Sequence, residues 1–399
     1  MIRCAIDARE YRQPNHLTGI GRFLTNMIAP LGEHPEEFEF VLFTGSPDAV
    51  PAKLQRLPGI RIEELPRRGR RVIDEWLLPR RARELKADVF FSPGWQGPLY
   101  PGLPMIVTVH DIMFLRLPAL PPVVRALTRW HLRSIIRRAR KVITVSKFTE
   151  RDLADLVPAA ADKTVVMYSD IGADWHSLLV NRDRHAPPAV PPETFGRYFL
   201  YVGNFMPHKN VDLLVKGFHD ALNTGKIPQH RLVLVGGDDE NSGRILRLVK
   251  RLELEKKVFV CRDLDDFSLS RLYQSADWFV TASEYEGFGY PPVEAMIAEC
   301  PVLCHQTTSL IEVVGSAALP ITTLTVPEMC NALLRAVRTT PAERQEFIDA
   351  GRRQSRLFKP GHTAEDFARL LRSLILSGTS FPVTDAIGRK TQSFMGENI

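Results

Sequence analysis

Trp278-Phe279-Val280-Thr281-Ala282-Ser283-Glu284-Tyr285-Glu286-Gly287-Phe288-Gly289-Tyr290-Pro291-Pro292-Val293-Glu294-Ala295-Met296 reads as a strand, a loop and a helix start in direct succession. Residues 278–281 are apolar or β-branched, as a strand buried on both faces requires. Pro291 suits a first helical turn, where no amide hydrogen is needed. Gly287 and Gly289 let the backbone approach a ligand, and the free amides of a helix start favour an anion such as a diphosphate. Glu286 falls in the loop and Glu294 in the first turn, near enough for one ligand to touch both. Carboxylates accept hydrogen bonds from sugar and ribose hydroxyls. The competing reading is that Glu294 only complements the helix dipole.

The same alternation extends outward. Apolar runs at 198–202, 232–235, 258–261, 301–304 and 318–321 read as strands. Most intervals between them carry helical spacing, as in Val211, Leu214, Val215 and Phe218. Strands separated by helices predict a parallel sheet with right-handed crossovers. Residues 2–6, 40–43, 89–91, 106–109, 142–145 and 165–167 repeat the theme in the first half. A chain of 399 residues is too long for one ordinary core. The proline cluster Pro187, Pro188, Pro191 and Pro192 marks a stiff linker. The expected fold is α/β, with two doubly wound Rossmann-like domains facing across a cleft. Residues 1–186 form the first domain, 187–197 the linker and 198–362 the second domain. A helix at 363–378, carrying Phe367, Leu370, Leu371, Leu374 and Ile375, crosses back to the first domain, and 379–399 form a polar tail. In such sheets ligands sit beyond the carboxyl ends of the strands.

Composition narrows the function. A 44% hydrophobic and 25% charged chain fits a globular protein. No apolar stretch reaches the ~18 residues of a membrane-spanning helix. The N-terminus reads as a first strand rather than a cleavable signal, which points to the cytoplasm. The five cysteines are odd in number and lack a C-x-x-C pair, so reduced thiols fit better than disulfides. Cys300, Cys304 and His305 lie in a strand-like run whose neighbours face opposite ways, which argues against a metal cluster. Residues 1–187 hold 28 Lys and Arg against 21 Asp and Glu, so the whole positive excess belongs to the first half. That asymmetry points to an anionic partner of one domain and not to nucleic acid. Arg125, Arg129, Arg133 and Arg137 recur every four residues, and Arg67, Arg68, Arg70 and Arg71 form a second basic run. Such a stripe is either a solvated helix face or a contact for anionic lipid headgroups or a lipid-diphosphate acceptor.

With its E-x7-E segment at Glu286 and Glu294, the chain resembles the retaining GT-B glycosyltransferases of family 4, the glycosyl transferases group 1. Residues 201–204, 272–277, 309–315 and 317–319 match as well, and the likeness runs almost to the last helix. The resemblance implies that Glu286, Gly287, Phe288 and Gly289 hold the donor sugar and Glu294 the ribose. In the loop Gly203-Asn204-Phe205-Met206-Pro207-His208-Lys209-Asn210 it makes Lys209 the diphosphate lysine, with His208 as a helper. Asn204 stands about where the family often has an arginine. His110, after the strand 106–109, matches a histidine that approaches the donor sugar; a satisfied structural histidine is the alternative. Gly19 and Gly21 would lie near the donor phosphates or acceptor, or simply punctuate a helix start. Asp263-Leu264-Asp265-Asp266 contains a D-x-D, better explained as a helix cap than as a metal site.

The resemblance therefore implies a metal-free, cofactor-free hexosyltransferase that takes a nucleotide sugar to a glycan or lipid-linked acceptor. His110, Lys209 and Glu286 would carry the chemistry. The phosphate loop resembles that of bacterial polysaccharide mannosyltransferases, which favours GDP-mannose over UDP-hexoses. The rival readings are an epimerase-like sugar-nucleotide enzyme on the same fold and a non-catalytic sugar-nucleotide-binding protein.

Overall fold

A computed structural model describes residues 1–12, 18–66, 73–117, 120–182, 188–236 and 241–376. The basic run Arg67, Arg68, Arg70 and Arg71, the start of the proline-rich linker through Pro187, and the tail from Ser377 lie outside the described residues.

Seven strands make the first sheet: β1 (Ile2–Asp7), β2 (Phe38–Thr44), β3 (Ile60–Glu64), β4 (Val89–Ser92), β5 (Met105–Val109), β6 (Lys141–Thr144) and β7 (Thr164–Val166). Their order is β3-β2-β1-β4-β5-β6-β7, and every pair is parallel. Six more make the second sheet: β8 (Tyr198–Val202), β9 (Arg231–Val235), β10 (Val258–Cys261), β11 (Trp278–Thr281), β12 (Val302–Cys304) and β13 (Ala318–Pro320). They run β10-β9-β8-β11-β12-β13, again all parallel. This is the doubly wound α/β arrangement expected from the alternating pattern. The sequence reading lacks β3. Its Ile60-Arg61-Ile62-Glu63-Glu64 alternates apolar with charged residues because it is an edge strand with one polar face.

Strand order reverses between β1 and β4 in one sheet and between β8 and β11 in the other. Crevices open beyond the carboxyl ends at such switch points. The segments after β1, β4, β5, β8 and β11 therefore meet in one interdomain cleft.

The helix His362–Leu376 packs against the helix Gly19–Gly32 and the first sheet. Phe367 sits 4.9 Å from the Phe91 ring and 6.4 Å from that of Phe40. Burying a side chain of that size is worth about 1.5–3 kcal/mol. Thr363 and Asp170 exchange hydrogen bonds through their amides, at 3.2 and 3.1 Å, and fix the helix start. Near its end, Arg372 grips Glu37 through two nitrogens, at 2.5 and 2.8 Å.

Candidate active site

The loop between β11 and the helix Tyr290–Ile297 is clamped from behind. Ser309 Oγ lies 2.9 Å from the Glu286 carbonyl and 3.1 Å from that of Phe288, and Thr308 Oγ1 accepts the Glu286 amide at 3.1 Å. Gly289 has a φ of +99°, and a Cβ there would stand 2.6 Å from Leu310 Cδ2, so only glycine fits. The Phe288 ring points inward, edge-on to Tyr290 and Phe358. Gly287 is one place where the two domains touch: a Cβ on it would overlap the His110 carbonyl oxygen. Thr149 Oγ1 spans the junction, 3.2 Å from the His110 carbonyl and 3.4 Å from that of Gly287.

The loop after β8 docks on the same segment. Its short 3-10 turn Pro207–Lys209 ends at Asn210, which takes a left-handed φ of 54° and donates to the Ala282 carbonyl at 3.0 Å. The Glu284 amide donates to the His208 carbonyl at 2.8 Å. Lys209 Nζ is thereby delivered onto Glu286, with which it forms an ion pair. Burial raises the neighbouring Asp111 carboxyl above its ordinary range, and the Glu286 charge adds to the effect. Burial, and then the Lys209 charge, lower His208. The His110 ring is edge-on to Phe23 at 5.0 Å, and its Nε2 lies 2.8 Å from the Pro93 carbonyl. A carbonyl only accepts, so Nε2 carries the hydrogen. Burial pushes this imidazole down to about 4, against the opposing pull of the Pro93 bond. His110 is neutral at physiological pH.

Glu294 belongs to a second cluster. Its carboxylate is almost fully buried and takes three side-chain donors. Arg22 Nη1 reaches Oε1 at 2.7 Å, Trp175 Nε1 the same oxygen at 2.9 Å, and the Tyr273 hydroxyl Oε2 at 2.7 Å. Gly19 faces the Tyr290 ring, and Thr18 caps their helix by accepting the Gly21 amide at 3.1 Å. A pocket of ≈ 220 Å³ opens beside this cluster, lined in part by Arg22, Trp175, Asp266, Tyr290 and Glu294.

The sequence-derived residues thus fall into two groups. His110, Lys209, His208, Glu286, Gly287, Phe288 and Gly289 converge at the domain junction, while Gly19, Gly21 and Glu294 gather around Arg22. Gly203, at φ +148°, starts the β8 loop. Asn204 is exposed, and its Oδ1 lies 3.4 Å from the Met206 amide within its own loop. Asp265 of the D-x-D caps the next helix through the Ser268 amide at 2.6 Å. All five cysteines are free thiols, and among the described residues no group of three or more His, Cys, Asp or Glu is placed to hold a metal.

Three residues of the Glu294 cluster escaped the sequence reading. Arg22 stands beside Gly21 and Tyr273 lies in a quoted family match, yet neither carries a local sign of its partner. Trp175 has no sequence signal. Each pairing links residues distant in the chain, and Arg22 and Glu294 are 272 positions apart.

Comparison with known proteins decides the identity. Residues 187–354 match the family described as glycosyl transferases group 1, and residues 17–169 match Glycosyltransferase Family 4. The chain belongs to the family 4 glycosyltransferases. This glycosyltransferase is 28% identical over 321 residues to O-antigen chain mannosyltransferase B of Escherichia coli, covering 76% of this chain and 82% of that one. It is 27% identical over 216 residues to O-antigen chain mannosyltransferase RfbU of Salmonella typhimurium, covering 53% and 55%. Anabaena HepE, solved in complex with UDP-glucose, superposes with a TM-score of 0.73 at 17% identity over 94% of this chain and 100% of that one. The shared fold is GT-B.

Proposed function

We propose that this glycosyltransferase moves mannose from GDP-mannose, with retention of configuration, to a glycan or lipid-linked acceptor of bacterial surface polysaccharide synthesis. The Lys209–Glu286 ion pair at the domain junction carries the reading. A donor diphosphate would take over Lys209 and leave Glu286 to accept hydrogen bonds from sugar hydroxyls. The bond from the anomeric carbon to the diphosphate breaks, and the acceptor oxygen bonds to the same face. The acceptor's proton passes to the departing diphosphate, whose growing charge Lys209 stabilises. Trapping a glycosyl adduct on a carboxylate of this cleft would refute that front-face route. Glu294 would meet the ribose by sharing a carboxylate that Arg22, Trp175 and Tyr273 already orient. The mannosyl donor is supported by the two O-antigen mannosyltransferase relatives. Asp265 serving as a helix cap supports metal-free chemistry.

The acceptor would be met at an anionic membrane face in the cytoplasm. The helix Pro122–Arg138 carries Arg125, Arg129, Arg133, Arg137 and Arg138, no acid, and exposed Val123, Val124 and Leu127. Basic and apolar residues on one exposed helix suit the surface of a bilayer. Arg125, Arg133 and Arg138 partly turn to the Leu120, Leu156 and Ser134 carbonyls, so the outward charge rests mainly on Arg129 and Arg137. Among the described residues no helix is long and apolar enough to cross a membrane.

Thermal shift with nucleoside diphosphates tests the donor. A ligand that binds only the folded state raises Tm, and a tighter ligand does so at lower concentration. GDP is expected to raise Tm at lower concentration than UDP; the reverse order would replace GDP-mannose with a UDP-hexose. Isomerised donor in the absence of acceptor would favour the epimerase reading.

A further inference from the structure

Trp76, Tyr100 and Trp130 are 76%, 71% and 61% exposed, unusual for side chains that normally bury most of their surface. They come from three separate segments: the π-helical turn Ile73–Leu77, the connection from β4 to β5, and the helix Pro122–Arg138. All three nevertheless line one groove of ≈ 1450 Å³. That is larger than the roughly 300–1,000 Å³ of a pocket for one small ligand. Its walls are braced. Both Glu75 carboxylate oxygens are near the Leu99 amide, at 3.0 and 3.2 Å. The Arg138 guanidinium lies 4.9 Å from the centre of the Tyr100 ring and donates to its hydroxyl at 3.2 Å.

The groove borders a depression that lies next to the active site. A second depression of ≈ 560 Å³, lined in part by Asp7, Arg9, Glu10, Pro93 and Trp95, opens beyond the carboxyl ends of β1 and β4. Pro93 is the residue whose carbonyl meets His110 Nε2. Gln96 lines both depressions, and the Arg9–Asp74 ion pair at 2.5 Å joins a residue of one to a residue of the other. A ligand with its reacting end near His110 would therefore pass Arg9 and Gln96 and emerge among the three rings.

The chemistry of the lining selects the ligand. Among the described residues that line the groove, two acids, Asp74 and Glu75, balance two arginines, Arg80 and Arg83, and the Arg138 guanidinium is engaged by the Tyr100 ring, so these residues do not select an anionic partner. Flat rings with a polar rim match a pyranose, which has an apolar C–H face and hydroxyls at its edge. A bilayer would be better served by the acid-free arginine helix alongside. We propose that this groove is a track for the saccharide chain of the acceptor, holding several sugar rings beyond the one that receives the new residue. The inference rests on the transferase reading only in placing the reacting end near His110.

The test measures binding without donor, by calorimetry on the full chain. The probes are linear mannose, glucose, galactose and N-acetylglucosamine oligomers, from monosaccharide to hexasaccharide, together with phosphatidylglycerol vesicles. At least one series should bind about tenfold more tightly as hexasaccharide than as disaccharide. Trp76→Ala and Trp130→Ala should each remove most of that gain, as loss of an exposed aromatic anchor does. Trp130→Phe should restore much of it. Melting curves of these exposed-site variants should match wild type, as should donor hydrolysis. Absence of length-dependent binding in every series overturns the track. So does loss of vesicle binding in the alanine variants with oligosaccharide affinity unchanged, which would assign the groove to the bilayer. Donor turnover without length dependence removes the track and leaves the transferase; length dependence without turnover does the opposite.

Discussion

Arg22 brings a guanidinium from the first domain onto Glu294, a carboxylate with only 2% of its side chain exposed. Removing one member of a buried pair strands the other, at a cost of about 3–5 kcal/mol. Arg22 is 33% exposed and lines a pocket that water can enter, so Arg22→Ala is expected to lower stability by less, about 1–3 kcal/mol in urea unfolding, because Trp175 and Tyr273 cannot neutralise the Glu294 charge. An unchanged midpoint would mean that solvent reaches the pair freely. His110 gives a pH signature instead. Its folded pKa, lowered to about 4, lies below the ordinary imidazole value. The unfolded chain therefore binds a proton that the native ring refuses. The stability linked to its neutral state is complete above pH ~6.5 and is lost progressively as pH falls toward 4. His110→Gln should flatten that part of the urea-midpoint profile relative to wild type; parallel profiles would show that the ring is not held neutral. Glu286 and Lys209 were legible as residue types in a glycine-rich setting. The Arg22–Glu294 pairing was not, because nothing local to either residue specifies a partner across the cleft.

At the scale of elements, the site is a set of loops at the carboxyl ends of parallel strands. Their contact through Gly287 leaves no room for a side chain against the His110 carbonyl. Gly287→Ala must push the domains apart there. Since small misplacements cost about 10²-fold in rate, donor turnover should fall by about that factor. Nucleotide-induced thermal shifts should persist, because the Glu294 cluster is untouched. Wild-type turnover in this variant would rule out a requirement for the close approach. Strand and helix alternation was readable because buried parallel strands are continuous apolar runs, as in β8 and β11. β3 was not, since an edge strand with charged positions looks like a loop. Pro291 in the first turn and Asp265 as a cap were both readable, since capping chemistry is local.

Over the whole molecule, the two sheets meet through paired charges and hydroxyls. Glu312 accepts the Phe148 amide at 2.7 Å and the Tyr168 hydroxyl at 2.6 Å, and Tyr285 bonds Asp152 across the same junction. These polar links, with Arg22–Glu294, hold the two domains together beside Lys209 and Glu286, whose side chains stay partly exposed. The first half's positive excess pointed to an anionic partner of one domain, but the sequence had no means of showing the aromatic groove, whose rings come from three segments. The central claim is that Lys209 stabilises a departing nucleoside diphosphate. The direct measurement is release of nucleotide from GDP-mannose and UDP-glucose by wild type and Lys209→Ala, with melting temperature recorded for both. The account predicts release by wild type and a loss of about 10²–10³-fold in the variant, measured well below both melting temperatures because stranding Glu286 also lowers the variant's stability. Equal release by the two proteins would contradict it.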